Sequence, residues 1–411
     1  MKMRLKITAT AIAMLSSASV WAEQEVDIRG YIGAEGRYFA EQSSDPAQTE
    51  SQFSINAEPE FYWQWDRGDN ALTFKPYLRI DSQDSERTHF DIRELSWLHV
   101  ERDWELRLGI SKVFWGVTET VHLVDIVNQT DSVESFDGED KLGQPMVQLS
   151  LIQDWGVLDA FILPGFRERT FAGKEGRLRG PLVIDSENAQ YESSDKSGHI
   201  DFAVNWRNTF DDLDLSLNAF HGTSREPMFV PQLTQVTQSD GSVAWVADAL
   251  TPYYPQITQL GAVAQYIYQD WLWKLEAINR FGRQIDNYNA LVGGFEYTYV
   301  GVFGSFTDLG IVAEYAWDER GESSTTATQN DVSIAARIVM NDISSTEVLA
   351  GFSQDLDYSQ SRSLFIEGST RIGDSTKLTL DMWLFASEDM QDLAYSFRNE
   401  DFVQLSVEWY Y

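Results

Sequence analysis

Any chemistry in this chain has to come from a short list of side chains. There are five histidines, His89, His99, His122, His199 and His221, and no cysteine. No two histidines share the His-x-x-x-His spacing of a helical zinc site, and no serine sits in a Gly-x-Ser-x-Gly elbow. Without cysteine there is no disulfide, no thiolate zinc ligand and no Cys nucleophile. The local motifs therefore predict no catalytic residue, no metal and no cofactor. What remains is the chemistry of charge.

That charge is abundant and unevenly placed. Asp and Glu number 64 against 31 Lys and Arg, a formal charge of −33 that argues against nucleic acid as a partner. Within the stretch 117–144, Asp131, Glu134, Asp137, Glu139 and Asp140 fall inside ten residues. Within 164–197 the bias reverses, with Arg167, Arg169, Lys174, Arg177 and Arg179 against Glu168 and Glu175. The acidic run could narrow and polarise a pore, lie outside as a solvated loop, or be held by calcium, although its spacing is not that of an EF-hand. The basic run could draw anionic solutes to a mouth, hold lipopolysaccharide phosphates by bidentate guanidinium contacts, or pair with the acidic run.

The elements that must carry these loops have period two. Val26, Ile28, Gly30, Ile32, Ala34, Gly36 and Tyr38 share one face; Asp27, Arg29, Tyr31, Gly33, Glu35 and Arg37 share the other. The same pattern runs through Phe53–Trp65 and on to the end of the chain, predicting eighteen strands, with sixteen as the alternative. The strand at 89–100 has no clear register, because Glu94 and Ser96 fall on its apolar face. Short turns, such as 101–103, 154–155 and 269–270, alternate with long connections, notably 117–144, 164–197 and 223–255. Alternating parity of this kind belongs to an all-β, up-and-down antiparallel transmembrane β-barrel rather than to a sandwich. Aromatics cluster where strands meet short turns, at Trp63, Trp65, Tyr266, Tyr268, Trp271 and Trp273, as in an interfacial girdle. By the same alternation Lys75, Arg79, Arg93 and Arg107 point inward, toward a lumen that the acidic run would constrict.

Both ends of the chain fit export to a membrane. Lys2, Arg4 and Lys6 precede an apolar run from Ile7 to Leu15 and a small-residue stretch ending at Ala22, the pattern of a signal peptide over 1–22. Its removal from 411 residues leaves 389, over 23–411, and takes the formal charge from −33 to −36. The mean hydropathy is negative, which a barrel tolerates because apolar and polar residues alternate. At the other end Val403, Leu405, Val407, Trp409 and Tyr411 share one face. This closing strand resembles the C-terminal recognition strand of outer-membrane barrels and implies the barrel-assembly machinery as a partner.

Leu106-Arg107-Leu108-Gly109 with Trp115-Gly116, the run Trp271-Leu272-Trp273-Lys274-Leu275-Glu276-Ala277, and the closing strand together resemble porin-like outer-membrane families of proteobacteria, one of them of unknown function. The segment 117–144 resembles, by its place after the fifth strand and its acidity, the loop that folds into a porin lumen. Two positions depart from the pattern: Tyr411 stands where Phe is more usual, and Asn128-Gln129 where Asn-Pro is expected. The resemblance implies a Gram-negative outer-membrane location and contact with lipid and lipopolysaccharide, as one chain or a homo-oligomer, but its motifs are those of barrel walls. Passive diffusion of small hydrophilic solutes is expected because sixteen to eighteen strands close a barrel wide enough for a water-filled channel. A structural or adhesive barrel and a barrel-embedded hydrolase are the other readings.

Overall fold

The computed structural model describes residues 26–43 and 45–411, so the signal peptide expected over 1–22 lies outside the described residues. In chain order the strands are β1 (Val26–Phe39), β2 (Ser51–Trp65), β3 (Asn70–Asp81), β4 (His89–Val100), β5 (Trp104–Ser111), β6 (Gln144–Gln153), β7 (Gly156–Pro164), β8 (Val183–Ile184), β9 (Gln190–Tyr191), β10 (Ile200–Phe210), β11 (Leu213–Thr223), β12 (Met228–Thr237), β13 (Val243–Tyr254), β14 (Gln256–Tyr268), β15 (Trp271–Gly282), β16 (Tyr288–Tyr299), β17 (Asp308–Asp318), β18 (Asn330–Val339), β19 (Glu347–Asp355), β20 (Arg362–Ile372), β21 (Thr376–Ala386) and β22 (Phe402–Tyr410).

All but β8, β9, β12 and β13 form one sheet of eighteen strands in which each pairs antiparallel with the next. The sheet closes when β22 returns to β1, setting Tyr31 opposite Tyr410 and Phe39 opposite Phe402. Closure removes the sheet edges, so the wall's backbone groups are paired without help from solvent. The barrel is all-β, and the eighteen segments of alternating residues are its eighteen staves.

Alternation decides which side chains see the inside. Ile32, Phe53, Ile55, Ile80 and Phe90 are exposed on the outer wall, whereas Glu35, Arg37, Ser54, Arg79 and Asp91 are buried within. Val403, Leu405, Val407 and Trp409 also face outward from β22. The aromatic pairs gather at the short-turn end: Tyr266 faces Trp273 and Tyr268 faces Trp271 across the β14–β15 turn, with Trp271 and Trp273 stacked at 5.7 Å.

The unclear register of β4 has a simple cause. Against β3, Lys75 pairs with Glu94 but the next residue, Pro76, pairs with Ile92, so Arg93 is an extra residue at a bulge. Pro76 has no N–H to give to a ladder, which makes this the place where one can be interrupted. Arg93 and Glu94 thus both turn inward, and Leu95 resumes the outer face.

Two expectations change. The strand predicted over 104–116 stops at Ser111, where Asn128 intervenes: its Oδ1 accepts the Val113 N–H at 2.9 Å and its Nδ2 donates to the Ser111 and Leu142 carbonyls at 3.0 and 2.8 Å. One side chain therefore ties together the start and the end of the long connection and turns it off the wall. The connection 223–255 is not plain loop but a hairpin, β12 with β13, whose inner strand β13 pairs in parallel with the short β8 and β9.

Candidate functional site

Residues 112–143, between β5 and β6, run through the inside of the barrel and touch its wall on three sides. The first contact is ionic. Glu134 meets Arg79 of β3, Nη2 to Oε2 at 2.7 Å, and accepts the Tyr77 hydroxyl at 2.6 Å. Asp131 accepts Arg93 Nη1 of β4 at 2.6 Å. Arg79 also reaches Glu35 of β1 at 3.1 Å, and Arg87 bonds Glu35 at 2.7 Å and the Val133 carbonyl at 2.7 Å. Burial would raise the Glu134 carboxyl, but the charges of Arg79 and Arg87 hold it below the usual carboxylate range.

The second contact is apolar. Trp115, Val124, Ile126 and Val127 of the loop pack on Met146, Phe161, Phe220, Ile257 and Ile278, which face inward from β6, β7, β11, β14 and β15. Trp115 meets Phe161 edge-on at 5.7 Å. The third contact is aromatic: Phe136 packs edge-on against Trp383 at 5.7 Å, Phe385 at 5.1 Å and Phe397 at 5.1 Å.

Between the ionic and aromatic contacts a cavity of about 370 Å³ remains, bounded by β1–β4, β20–β22 and the loop. Eight carboxylates line it: Glu35 and Glu134 are ion-paired, whereas the other six, Glu58, Asp137, Asp140, Glu367, Asp381 and Glu408, form no ion pair among the described residues. Two lysines on its lining, Lys112 and Lys377, are also free of ion pairs among the described residues. Burial and the nearby Glu134 push the Asp140 carboxyl up to about 6, against the opposite pull of Arg93 and Lys112. Glu139 lies away from this lining and bonds His122 Nε2 at 2.8 Å. Burial would lower the His122 imidazole, but Glu139, with Glu276 and Asp125 nearby, raises it above its ordinary value.

Of the residues singled out in the sequence, the structure thus separates the acidic run by role. Asp131 and Glu134 are consumed in buried ion pairs, Glu139 holds His122, and Asp137 and Asp140 face the cavity. Arg79 and Arg93 are likewise consumed. Lys75 lies nearer the short turns and pairs with Glu60 at 2.9 Å, and Arg107 donates to the Ser111 hydroxyl at 3.0 Å.

The basic run 164–197 also turns onto the protein. Arg167 bonds Asp91 at 2.8 Å and the Gly143 carbonyl at 2.9 Å; Arg177 is buried on Glu400 at 2.7 Å and over the Phe39 ring; Arg179 bonds Asp45 at 2.8 Å. The Arg169 backbone N–H bonds the Tyr254 hydroxyl at 3.1 Å, and burial pulls its guanidinium below its ordinary range. Lys174 stays exposed. The link to the acidic run is made by Thr170, whose hydroxyl donates to Asp131 at 2.6 Å.

Sequence reasoning missed Glu367, Lys377, Asp381 and Trp383, because the inward faces of β20 and β21 mix these groups with the aromatics Phe365 and Phe385. It also missed two wall carboxylates that bind the loop's backbone. Glu276 of β15 takes the Val117 N–H at 2.7 Å, and Glu314 of β17 takes the Glu119 N–H at 2.8 Å.

The other constellations are weaker. His89, Asp131 and Glu134 bring ligand atoms within 4.8 Å of one another, but Arg93 and Arg79 already hold the two carboxylates and supply the positive charge an ion would bring. Among the described residues no histidine nitrogen is hydrogen-bonded to a serine hydroxyl; His199 bonds Asp201 at 2.7 Å and His221 bonds Thr258 at 2.9 Å.

The fold and the inward loop define a porin-like β-barrel. No family model and no curated relative matches the chain. Among solved structures it is similar to a mutant of the Rhodopseudomonas blastica porin, at 10% identity over 94% of this chain and 100% of that one, with a TM-score of 0.45. A triple mutant of the same porin gives 12% identity, the same coverage and a TM-score of 0.43. A structure described as "Asymmetric conductivity of engineered proteins" gives 10%, the same coverage and 0.44.

Proposed function

We propose that this protein is an outer-membrane channel for the passive diffusion of small hydrophilic solutes, with a constriction that prefers cations. The observation that carries the reading is the imbalance around the cavity: six carboxylates without ion pairs against two such lysines. Carboxylates focused by low-dielectric walls raise the local concentration of cations. The exposed apolar outer wall and its aromatic ends support residence in a bilayer, and a closed barrel is the sheet architecture that satisfies its own backbone there. In that orientation the long connections other than 112–143, including the β12–β13 hairpin, lie on the cell surface. The outward apolar face of β22 supports recognition by the barrel-assembly machinery.

The second reading, a barrel that does not transport, draws on the apolar packing of the loop against β6–β15, which fills one side of the lumen. Single-channel recording of the purified protein in a planar bilayer separates the two. Ohmic openings with a cation-selective reversal potential support the channel; a silent bilayer with correctly folded protein supports the plugged barrel.

A further inference from the structure

The two stretches Trp115-Gly116 and Lys274-Leu275-Glu276-Ala277, far apart in sequence, meet inside the barrel. Glu276 is fully buried, and among the described residues its carboxylate has no cation within ion-pair distance. In place of a cation it takes three backbone donors from one loop segment, the Val117 N–H at 2.7 Å, the Thr118 N–H at 3.1 Å and the Val124 N–H at 3.3 Å. The Thr118 hydroxyl lies 2.7 Å from it and 2.6 Å from the Val121 carbonyl, with one proton to share between them. Gly116 makes room for this, since a Cβ there would stand 2.8 Å from Glu276 Oε1 at a backbone φ of +140°. Two strands along the wall, Glu314 takes the Glu119 N–H at 2.8 Å, the Thr120 N–H at 2.9 Å and the Thr120 hydroxyl at 2.7 Å. Glu119 itself points its carboxylate at Arg337 of β18 and Lys274 of β15.

Loop residues 117–120 thus hang from β15 and β17 by charge-assisted hydrogen bonds to the backbone, which resist a change of loop sequence but not a change of the wall carboxylate, while the Glu119 side chain adds ion pairs to β18 and β15. We infer that Glu276 and Glu314 are positioning residues of the constriction: they fix the loop against the wall outside the cavity lining, and so set its bore and ion preference without touching the solute. The inference rests on the channel reading for its functional consequence, but the clamp itself can be measured separately.

Removing the buried Glu276 carboxylate leaves the amides of 117, 118 and 124 without their acceptor. In Glu276→Ala and Glu314→Ala proteins that keep the heat-modifiable mobility of a folded barrel, amide hydrogen exchange in 117–124 should quicken by about tenfold or more while that of β1–β4 stays unchanged. In bilayers the same variants should give larger, noisier openings than the parent, and Glu276→Asp should restore part of the quiet state where Glu276→Ala does not. Folded variants with parental exchange in 117–124 would overturn the clamp whatever the bilayer shows. Faster exchange with parental conductance and noise would overturn its role in positioning the pore. A silent parent protein with fast-exchanging variants would retain the clamp and remove the channel reading beneath it.

Discussion

Glu134 on the inward loop and Arg79 on β3 form a buried ion pair, with Nη2 and Oε2 at 2.7 Å and Tyr77 and Glu35 completing the polar neighbourhood. The wall of β1, β3 and β4 is therefore not a bare array of guanidinium groups facing an acidic loop. It is a neutralised seam that fastens the loop, and the carboxylates without ion pairs lie elsewhere.

Breaking that seam should free the loop. Arg79→Ala leaves Glu134 buried without its arginine, while Glu35 keeps Arg87, and breaking a buried pair of this kind typically costs about 3–5 kcal/mol locally. The expected result is a folded barrel with larger, unsteady conductance and faster proteolysis within 130–140. A variant with parental conductance and protease resistance would show that the remaining ionic, apolar and aromatic contacts hold the loop without Arg79.

The apolar contact should matter more for stability than for selectivity. Trp115→Ala removes a buried aromatic side chain packed on Phe161, a loss of about 3–5 kcal/mol by analogy with core truncations. The heat-modifiable transition should move to lower temperature, while the reversal potential of the folded fraction stays near the parent's. An unchanged transition would place Trp115 outside the packed core.

Two pH effects follow, with opposite signs. Asp140, raised to about 6, is charged above that value and neutral below it, so cation preference should weaken as the pH falls from 7 to 5. His122 is raised by Glu139, so its contribution to loop stability is fully present below the ordinary imidazole value and is lost as pH rises through the higher folded-state value. Alkaline pH should therefore increase open-channel noise, and His122→Ala should remove that dependence. Cation preference constant between pH 7 and 5 would show that Asp140 does not face the permeating solute.

Topology can be tested on cells. A tag at Gly241, in the tip of the β12–β13 hairpin, should be reachable on intact cells, whereas one at Gln269-Asp270 should not. Surface labelling at 269–270 would invert the barrel.

The staves were legible because the wall imposes a period of two that local sequence must obey. Even the ambiguity at Glu94 and Ser96 marked a real bulge opposite Pro76. The hairpin 228–254 was not, because both of its faces lie off the barrel wall and its strands keep no inside and outside; only Asp240-Gly241, a turn pair, betrayed it. In the site, alternation was enough to point Arg79 and Arg93 inward, but not to show that Asp131 and Glu134 neutralise them. Partners such as Glu276 and Val117 are 159 residues apart, and nothing local to either marks the other.

In the channel reading, free carboxylates at the cavity give the pore its sign. The most direct measurement is the reversal potential of single channels across a potassium chloride gradient, for the parent and for a variant carrying Asp137→Asn, Asp140→Asn, Glu367→Gln and Asp381→Asn. These four side chains make no ion pair among the described residues, so their amides should leave the loop in place. The parent should be cation-selective, and the variant should lose most of that preference at similar conductance. An anion-selective parent, or a reversal potential unmoved by the four substitutions, would contradict the account.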